Sequence, residues 1–276
     1  MDAQGDHRTA TADSAPARSG ADDRQKDHEG DREVVIRFDK VSKRFGSKVV
    51  LDKLDLVVYR GETLVLMGPS GTGKSVTLRH VIGLMKADSG RVTVQGHDMA
   101  TISRKDLAEL RRHMGYLFQD SALINWLNVR DNVALPLREN TDLSEAEILE
   151  RVEQKLELVH LPGILEKMPS ELSGGMRKRV GLARALITDP KLILYDEPNA
   201  GLDPEISASI NQLIRDVRTQ LDITSVVISH LVSCVKTVAD RVVLLEEGKV
   251  VLEGPRDEFL ASDHPRLVRF LGDSKD

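Results

Sequence analysis

Read only for hydrophobic and polar positions, the chain opens without a pattern. Residues 2–33 contain no Leu, Ile, Val or Phe and mix Ala, Ser, Gly and charges of both signs. Such a segment cannot bury enough apolar surface to offset its ordering entropy, so residues 1–33 are expected to form a disordered tail. Apolar periodicity begins at Val34. Residues 34–38 and 54–58 read as strands around a turn near Gly46, and the TLVLM run at 63–67 is nearly all apolar, as in a strand buried on both faces. A 3.6-residue period then runs through Val76, Leu78, Val81 and Ile82 and predicts a helix starting near Lys74. A strand over 90–94 is closed by Gly96, a helix over 103–112 opens on Ser103 as N-cap, and a strand over 114–118 ends at Gln119.

The middle of the chain is helical in pattern from Val129 to Val159. A capping start stands at 143–147, and Leu149, Val152, Leu156 and Val159 keep an apolar face. Pro162, Gly163 and Pro169 break it, and residues 171–187 read as a loop and then a helix. Alternation resumes with a buried strand at 191–195, a helix at 205–220, a strand at 223–228 and a helix from Leu231. Residues 242–245 and 250–252 suit a hairpin around Glu247-Gly248, and two short helices, 256–261 and 265–271, end the chain. Strands alternating with helices on both sides of a helical block at about 120–188 predict an α/β core with an N-terminal antiparallel edge and a helical insertion.

Composition narrows the class. The 276 residues carry 39 basic and 44 acidic side chains, a net charge of −5. That balance argues against a nucleic-acid partner, which would need a basic face. Aromatics are scarce at 3%, so aliphatic side chains must fill the core. The single cysteine, Cys234, excludes an intrachain disulfide and lies in an apolar-periodic stretch, where a buried thiol is expected. There is no run of 18 apolar residues and no apolar stretch of a secretory signal, so a cytosolic protein is expected, reaching a membrane only through a partner.

Candidate chemistry sits in three places. Gly68, Pro69, Ser70, Gly71, Thr72, Gly73, Lys74 and Ser75 spell G-x-x-x-x-G-K-S between the 63–67 strand and the helix that carries Val76. Glycines let the backbone curl around a phosphate, Lys74 can reach the β- and γ-phosphates, and the Ser75 hydroxyl can hold Mg²⁺. The second place is the apolar run 192–195, which ends in Asp196 and Glu197. A carboxylate at a strand tip can reach a metal through water, and the next can orient or deprotonate an attacking water. The third, Ser173-Gly174-Gly175, is a second capped helix start suited to an anion, about 100 residues beyond the first. Taken singly, the second and third are also what an acidic turn and an ordinary capped helix look like.

Ser-Gly-Gly between a phosphate loop and an Asp-Glu strand end resembles the signature motif of the ATP-binding cassette (ABC) ATPases, and the resemblance covers about residues 34–254. It implies an α/β fold: a P-loop NTPase core with an N-terminal antiparallel β subdomain and an inserted α-helical subdomain. The cassette would span 34–262, with 263–276 as a C-terminal extension. Phe45 matches the aromatic that stacks on adenine. Gln119 matches the glutamine that senses the γ-phosphate and Mg²⁺ and couples to a membrane domain, with Ser75 and Asp196 beside it at the metal. His230 matches the histidine that contacts the γ-phosphate, and Glu197, His230 and Gln119 make up the expected catalytic set. Asp203, in Ala200-Gly-Leu-Asp203, matches the loop that crosses the dimer interface, although it can also simply cap the helix after it. The resemblance further implies a head-to-tail dimer with ATP between the phosphate loop of one copy and Ser173-Gly174-Gly175 of the other.

Finer features resemble the Mla/Mce-associated cassettes: 118–123, 131–137, 168–180, 195–198 and the ending 263–271. That subfamily implies lipid transport between bacterial membranes, with the chain on the cytoplasmic face of the inner membrane, an integral-membrane permease, and an MCE-domain lipid-binding protein. A cassette for lipoprotein release or amino-acid uptake is the alternative, and a soluble cassette of DNA repair or translation a remote one. Leu123, Ile124, Trp126 and Leu127 are expected either to seat the permease's coupling helix or to pack the helical insertion. Three positions depart from the wider pattern: Met176 for the common Gln, Asn199 for Thr, and Leu231 for an acidic residue.

Overall fold

The computed structural model describes residues 32–273, so the tail expected over 1–33 falls outside it except for its last two residues. The elements below belong to the unit that begins at Glu33. β1 (Val34–Phe45) and β2 (Lys48–Tyr59) form a hairpin of two 12-residue strands. Both run well beyond the apolar runs at 34–38 and 54–58. The reason is a series of register shifts between Phe38 and Arg44, which interrupt strict alternation while pairing continues. There follow β3 (Thr63–Met67), α1 (Lys74–Val81), β4 (Ser89–Val94), the two-residue β5 (His97–Asp98), α2 (Arg104–Arg112) and β6 (Met114–Leu117). The period-3.6 pattern at 129–159 is two helices, α3 (Val129–Asn140) and α4 (Glu145–Leu158). The chain extends at Thr141, and Ser144 and Glu147 then form a capping box that restarts the helix.

After a 3-10 turn at Pro169–Glu171 come α5 (Gly174–Leu186), β7 (Leu192–Asp196), α6 (Pro204–Leu221), β8 (Thr224–Ile228) and α7 (Val232–Val238). β9 (Arg241–Glu246) and β10 (Lys249–Pro255) make the expected hairpin, and α8 (Arg256–Ala261) and α9 (Pro265–Asp273) close the described chain. No described helix is long and apolar enough to cross a membrane.

The strands sort into two sheets. One is antiparallel, ordered β2-β1-β4-β5; the other has six strands, ordered β10-β9-β3-β8-β7-β6. In the second, β9, β3, β8, β7 and β6 are parallel and β10 runs antiparallel at the edge. Side chains along each central strand alternate between two cores. Val65, Met67, Ile193, Tyr195 and Val227 face the α3–α7 side. Leu64, Leu66, Leu192, Leu194, Val226 and Ile228 face the antiparallel sheet, α1 and α2. This two-sided burial is why TLVLM and LILYD carry no polar alternation. Cys234 is fully buried, and burial pushes its thiol up to about 12.

β6 comes unusually close to α5. A Cβ on Gly115 would stand 2.6 Å from the Ala185 carbonyl oxygen. Gly115→Ala is therefore expected to force the strand and helix apart and to lower stability by about 1–3 kcal/mol, measured by urea unfolding.

Candidate nucleotide-binding site

The parallel register brings strand ends to one edge. Leu117 pairs with Tyr195, Asp196 with Ile228, and Leu66 with Ile228. The segments that leave β3, β6, β7 and β8 at this edge carry the phosphate loop, Gln119, Glu197 and His230 respectively. They enclose a cleft of about 830 Å³ whose lining includes Phe45, Ser70, Lys74, Ser75, Gln119, Glu197 and His230. Gly71, Gly73 and Val76 also line it. Residues separated by up to 186 positions in sequence thus meet in one space (45 to 231).

The loop is shaped by what surrounds it. Gly68 has φ 142°, and a Cβ there would come 2.1 Å from the Leu245 carbonyl oxygen, so the residue leaving β3 must be glycine. Gly73, at φ 104°, is the N-cap of α1 and offers no side chain to the first-turn N–H groups. Thr72 Oγ1 donates to the Pro69 carbonyl at 2.9 Å, bracing the loop from inside. Gly68, Pro69 and Thr72 therefore shape the loop and do not line the cleft.

The Lys74 ammonium donates to the carbonyls of Gly68 and Pro69 at 2.7 and 2.8 Å. Burial lowers its pKa, and the nearby carboxylates of Glu197 and Asp196 oppose that. Ser75 Oγ donates to Asp196 Oδ1 at 2.8 Å, and the Tyr116 hydroxyl donates to Oδ2 at 3.0 Å. Burial, then the Asp196 charge, raises the Tyr116 pKa and keeps that hydroxyl protonated as a donor. Glu197 sits in the left-handed region at φ 51°, and its Oε2 lies 2.8 Å from His230 Nδ1. Phe45 stands at the cleft mouth, 48% exposed, where a flat ring can stack.

Beyond the loop, Ser173, Gly174, Gly175 and Asp203 do not line this cleft either. Ser173 Oγ accepts from the Met176 N–H at 3.2 Å as the N-cap of α5. A Cβ on Gly175 would stand 2.6 Å from Ile206 Cγ2 of α6, and one on Gly174 3.3 Å from Leu202. Within one chain, then, the glycine at 175 is demanded by packing on α6. Asp203 Oδ1 accepts from the Ile206 N–H at 2.9 Å and caps α6.

Reading the sequence missed Tyr116 and Arg79. Tyr116 is found only from the pairing of β6 with β7, and Arg79, on α1, lines the cleft without any motif to mark it. Asn199, noted only as a departure, is buried and donates to the Ser207 carbonyl at 3.1 Å, tying the loop after Glu197 to α6.

Fold and cleft together define a phosphate-loop ATPase of the cassette type. A family model described as ABC transporter matches residues 51–200, and the chain belongs to that family, as an ATP-binding, ATP-hydrolysing subunit. A probable ribonucleotide transport ATP-binding protein, Mkl, of Mycobacterium leprae is 46% identical over 86% of this chain and 69% of its own length. The chain thus spans about two thirds of that relative. The intermembrane phospholipid transport system ATP-binding protein MlaF of Haemophilus influenzae is 40% identical over 88% of this chain and 92% of its own. Among solved structures, a dimeric ATP-binding cassette in a post-hydrolysis state, bound to ADP and phosphate, aligns with TM-score 0.74 and 30% identity. It covers 80% of this chain and 98% of the other.

Lys74→Ala removes a cation that donates to the loop's own carbonyls. ATP affinity is expected to fall at least about tenfold, read by titration with a fluorescent nucleotide, with the circular dichroism spectrum unchanged.

Proposed function

We propose that this chain energises lipid transport between bacterial membranes, working as a pair of copies beneath a permease at the cytoplasmic face of the inner membrane. An MCE-domain lipid-binding protein would complete the system. The observation that carries the dimer is the split of the site: phosphate loop, Gln119, Asp196, Glu197 and His230 meet at one edge, while Ser173-Gly174-Gly175 faces elsewhere. A second copy supplies the missing half, and a relative solved as a dimer with ADP and phosphate supports that reading. Phospholipid as cargo rests on the likeness to MlaF.

ATP's triphosphate would lie along the 68–75 loop, with Lys74 turning to its oxygens and adenine on Phe45. The donor set fits Mg²⁺: the Ser75 hydroxyl and Asp196 carboxylate are hard oxygens 2.8 Å apart, and the Gln119 amide oxygen borders the same cleft. Among the described residues no cluster of three or more His, Cys, Asp or Glu could cage a metal alone. That suits an ion that keeps water and phosphate ligands. When bound, Mg²⁺ would neutralise phosphate charge. Glu197 accepts the proton of a water that attacks the γ-phosphorus, and the bond to the ADP oxygen breaks. His230 Nδ1 holds Glu197 Oε2, and Tyr116 with Ser75 holds both Asp196 oxygens, so neither carboxylate must reorganise. Loss of the γ-phosphate then removes charge shared by two copies and loosens them.

The permease seat is a groove of about 600 Å³ whose lining includes Phe118, Ala122, Ile124, Leu135, Pro136 and Arg184. Of the four residues expected either there or packed in the helical insertion, Ile124 lines the groove, Trp126 stands 80% exposed, Leu127 is half-buried and outside the lining, and Leu123 packs on the core. Phe118 and Ala122 take Leu123's place at the rim. A partner helix with an apolar face and acidic or polar groups opposite Arg111, Arg112 and Arg184 suits this surface.

Purification of the full chain from its native membranes is expected to recover a polytopic permease and an MCE-domain protein, and Trp126→Ala to reduce that recovery. Recovery of soluble partners alone would overturn the transport reading. Glu197→Gln is expected to keep ATP binding, accumulate a dimer on size exclusion with ATP, and lose turnover by about 10²-fold or more. Wild-type turnover in that variant would remove Glu197 as the proton acceptor.

A further inference from the structure

Helix α5 carries Ser173-Gly174-Gly175 at its start, yet one of its flanks grips the same chain's own site. Lys178, Gly181 and Arg184 follow at steps of three on that flank. Lys178, only 5% exposed, donates from Nζ to the carbonyl of Gln119 and, at 3.4 Å, to the carbonyl of Glu197. Arg184 donates to the carbonyls of Ser121 and Ala122 at 2.7 and 2.8 Å. Between them, a Cβ on Gly181 would stand 2.9 Å from Leu117 Cδ1 and 3.1 Å from Ser121 Cβ, so any larger residue would have to displace the Leu117 side chain and push on the loop.

The gripped backbone is strained. Ser121, Ala122 and Glu197 have φ of 60°, 46° and 51°, left-handed conformations that persist only where the surroundings hold them. A buried ammonium is itself costly, and burial lowers the Lys178 pKa while Asp120, Glu197 and Asp196 counter it. Its Nζ bonds backbone carbonyls, so its work is placement.

We propose that Lys178 is a positioning residue: it fastens the backbones of Gln119 and Glu197 to α5, so that the two active-site side chains move with Ser173-Gly174-Gly175. The inference rests on the roles given to Gln119 and Glu197 above. Arg184 extends the same flank into the groove that seats the permease, so displacement there reaches Gln119 through the loop and Glu197 through Lys178. One helix thereby joins three places: its own cleft, the partner copy's nucleotide, and the membrane partner.

The test uses the full chain with Lys178→Met, which keeps much of the aliphatic volume, and Lys178→Gln, which keeps a donor. Lys178→Met is expected to lower kcat at least about tenfold, leave the Kd for a fluorescent ATP analogue within about threefold, and speed hydrogen exchange at 118–122. Lys178→Gln is expected to restore part of kcat. Wild-type kcat in Lys178→Met overturns the proposal, and so does a loss of ATP affinity and Tm in step with kcat, which marks general destabilisation. Glu197→Gln runs alongside. If it keeps wild-type turnover, the reading of the site fails. If it is dead while Lys178→Met turns over normally, only the Lys178 inference fails.

Discussion

The cleft depends on one constraint: parallel strands whose hydrogen-bond register ends them at a common edge. Each strand delivers a different chemical group there, and each is stiff because both its faces are buried. Asp196 shows the consequence. Its carboxylate, at the tip of β7, is met by Ser75 from the helix after β3 and by Tyr116 from β6, three segments that share nothing locally in sequence. A carboxylate held on both oxygens in a partly dry site is oriented before any ligand arrives, which is where preorganised electrostatics gains most.

A second consequence concerns the helices. α5 and α6 pack so closely that Gly175 meets Ile206 and Gly174 meets Leu202, and Asp203 and Asn199 are spent on capping α6 and tying the 197–203 loop to it. The signature end of α5 therefore packs against Leu202 and α6, and the 199–202 segment before α6 also borders the chain's own cleft. In the pair of copies proposed above, a polyanion between the α5 start and a second copy's phosphate loop would bridge two electropositive helix starts. Closing and opening would then follow the charge on the nucleotide, and α5 would carry the work toward the membrane partner.

Much of this was readable in the residues. GPSGTGKS after an apolar strand, Asp196-Glu197 at the end of another, and Ser173-Gly-Gly before a helix are local patterns, because each is a strand end or helix start whose chemistry lies within a few positions. Periodicity likewise located the central strands and most helices. It under-read β1 and β2, where bulges interrupt alternation, and it read 129–159 as one helical stretch because the apolar period continues through Leu143, although the capping start at 143–147 marks where α4 begins.

What the sequence determined by itself is the kind of chemistry, ATP binding and hydrolysis, together with the residues proposed for a hard cation and for taking a proton. Those assignments follow from residue types at short spacing, where covalent geometry alone fixes neighbours. The tertiary structure decided which groups act on which. Tyr116 reaches Asp196 only through strand pairing, Leu123 turns to the core while Phe118 and Ala122 line the groove, and Lys178 binds two carbonyls 78 residues apart (119 and 197). Such partners are set by register and by close helix packing, long-range constraints that no local pattern of residues records.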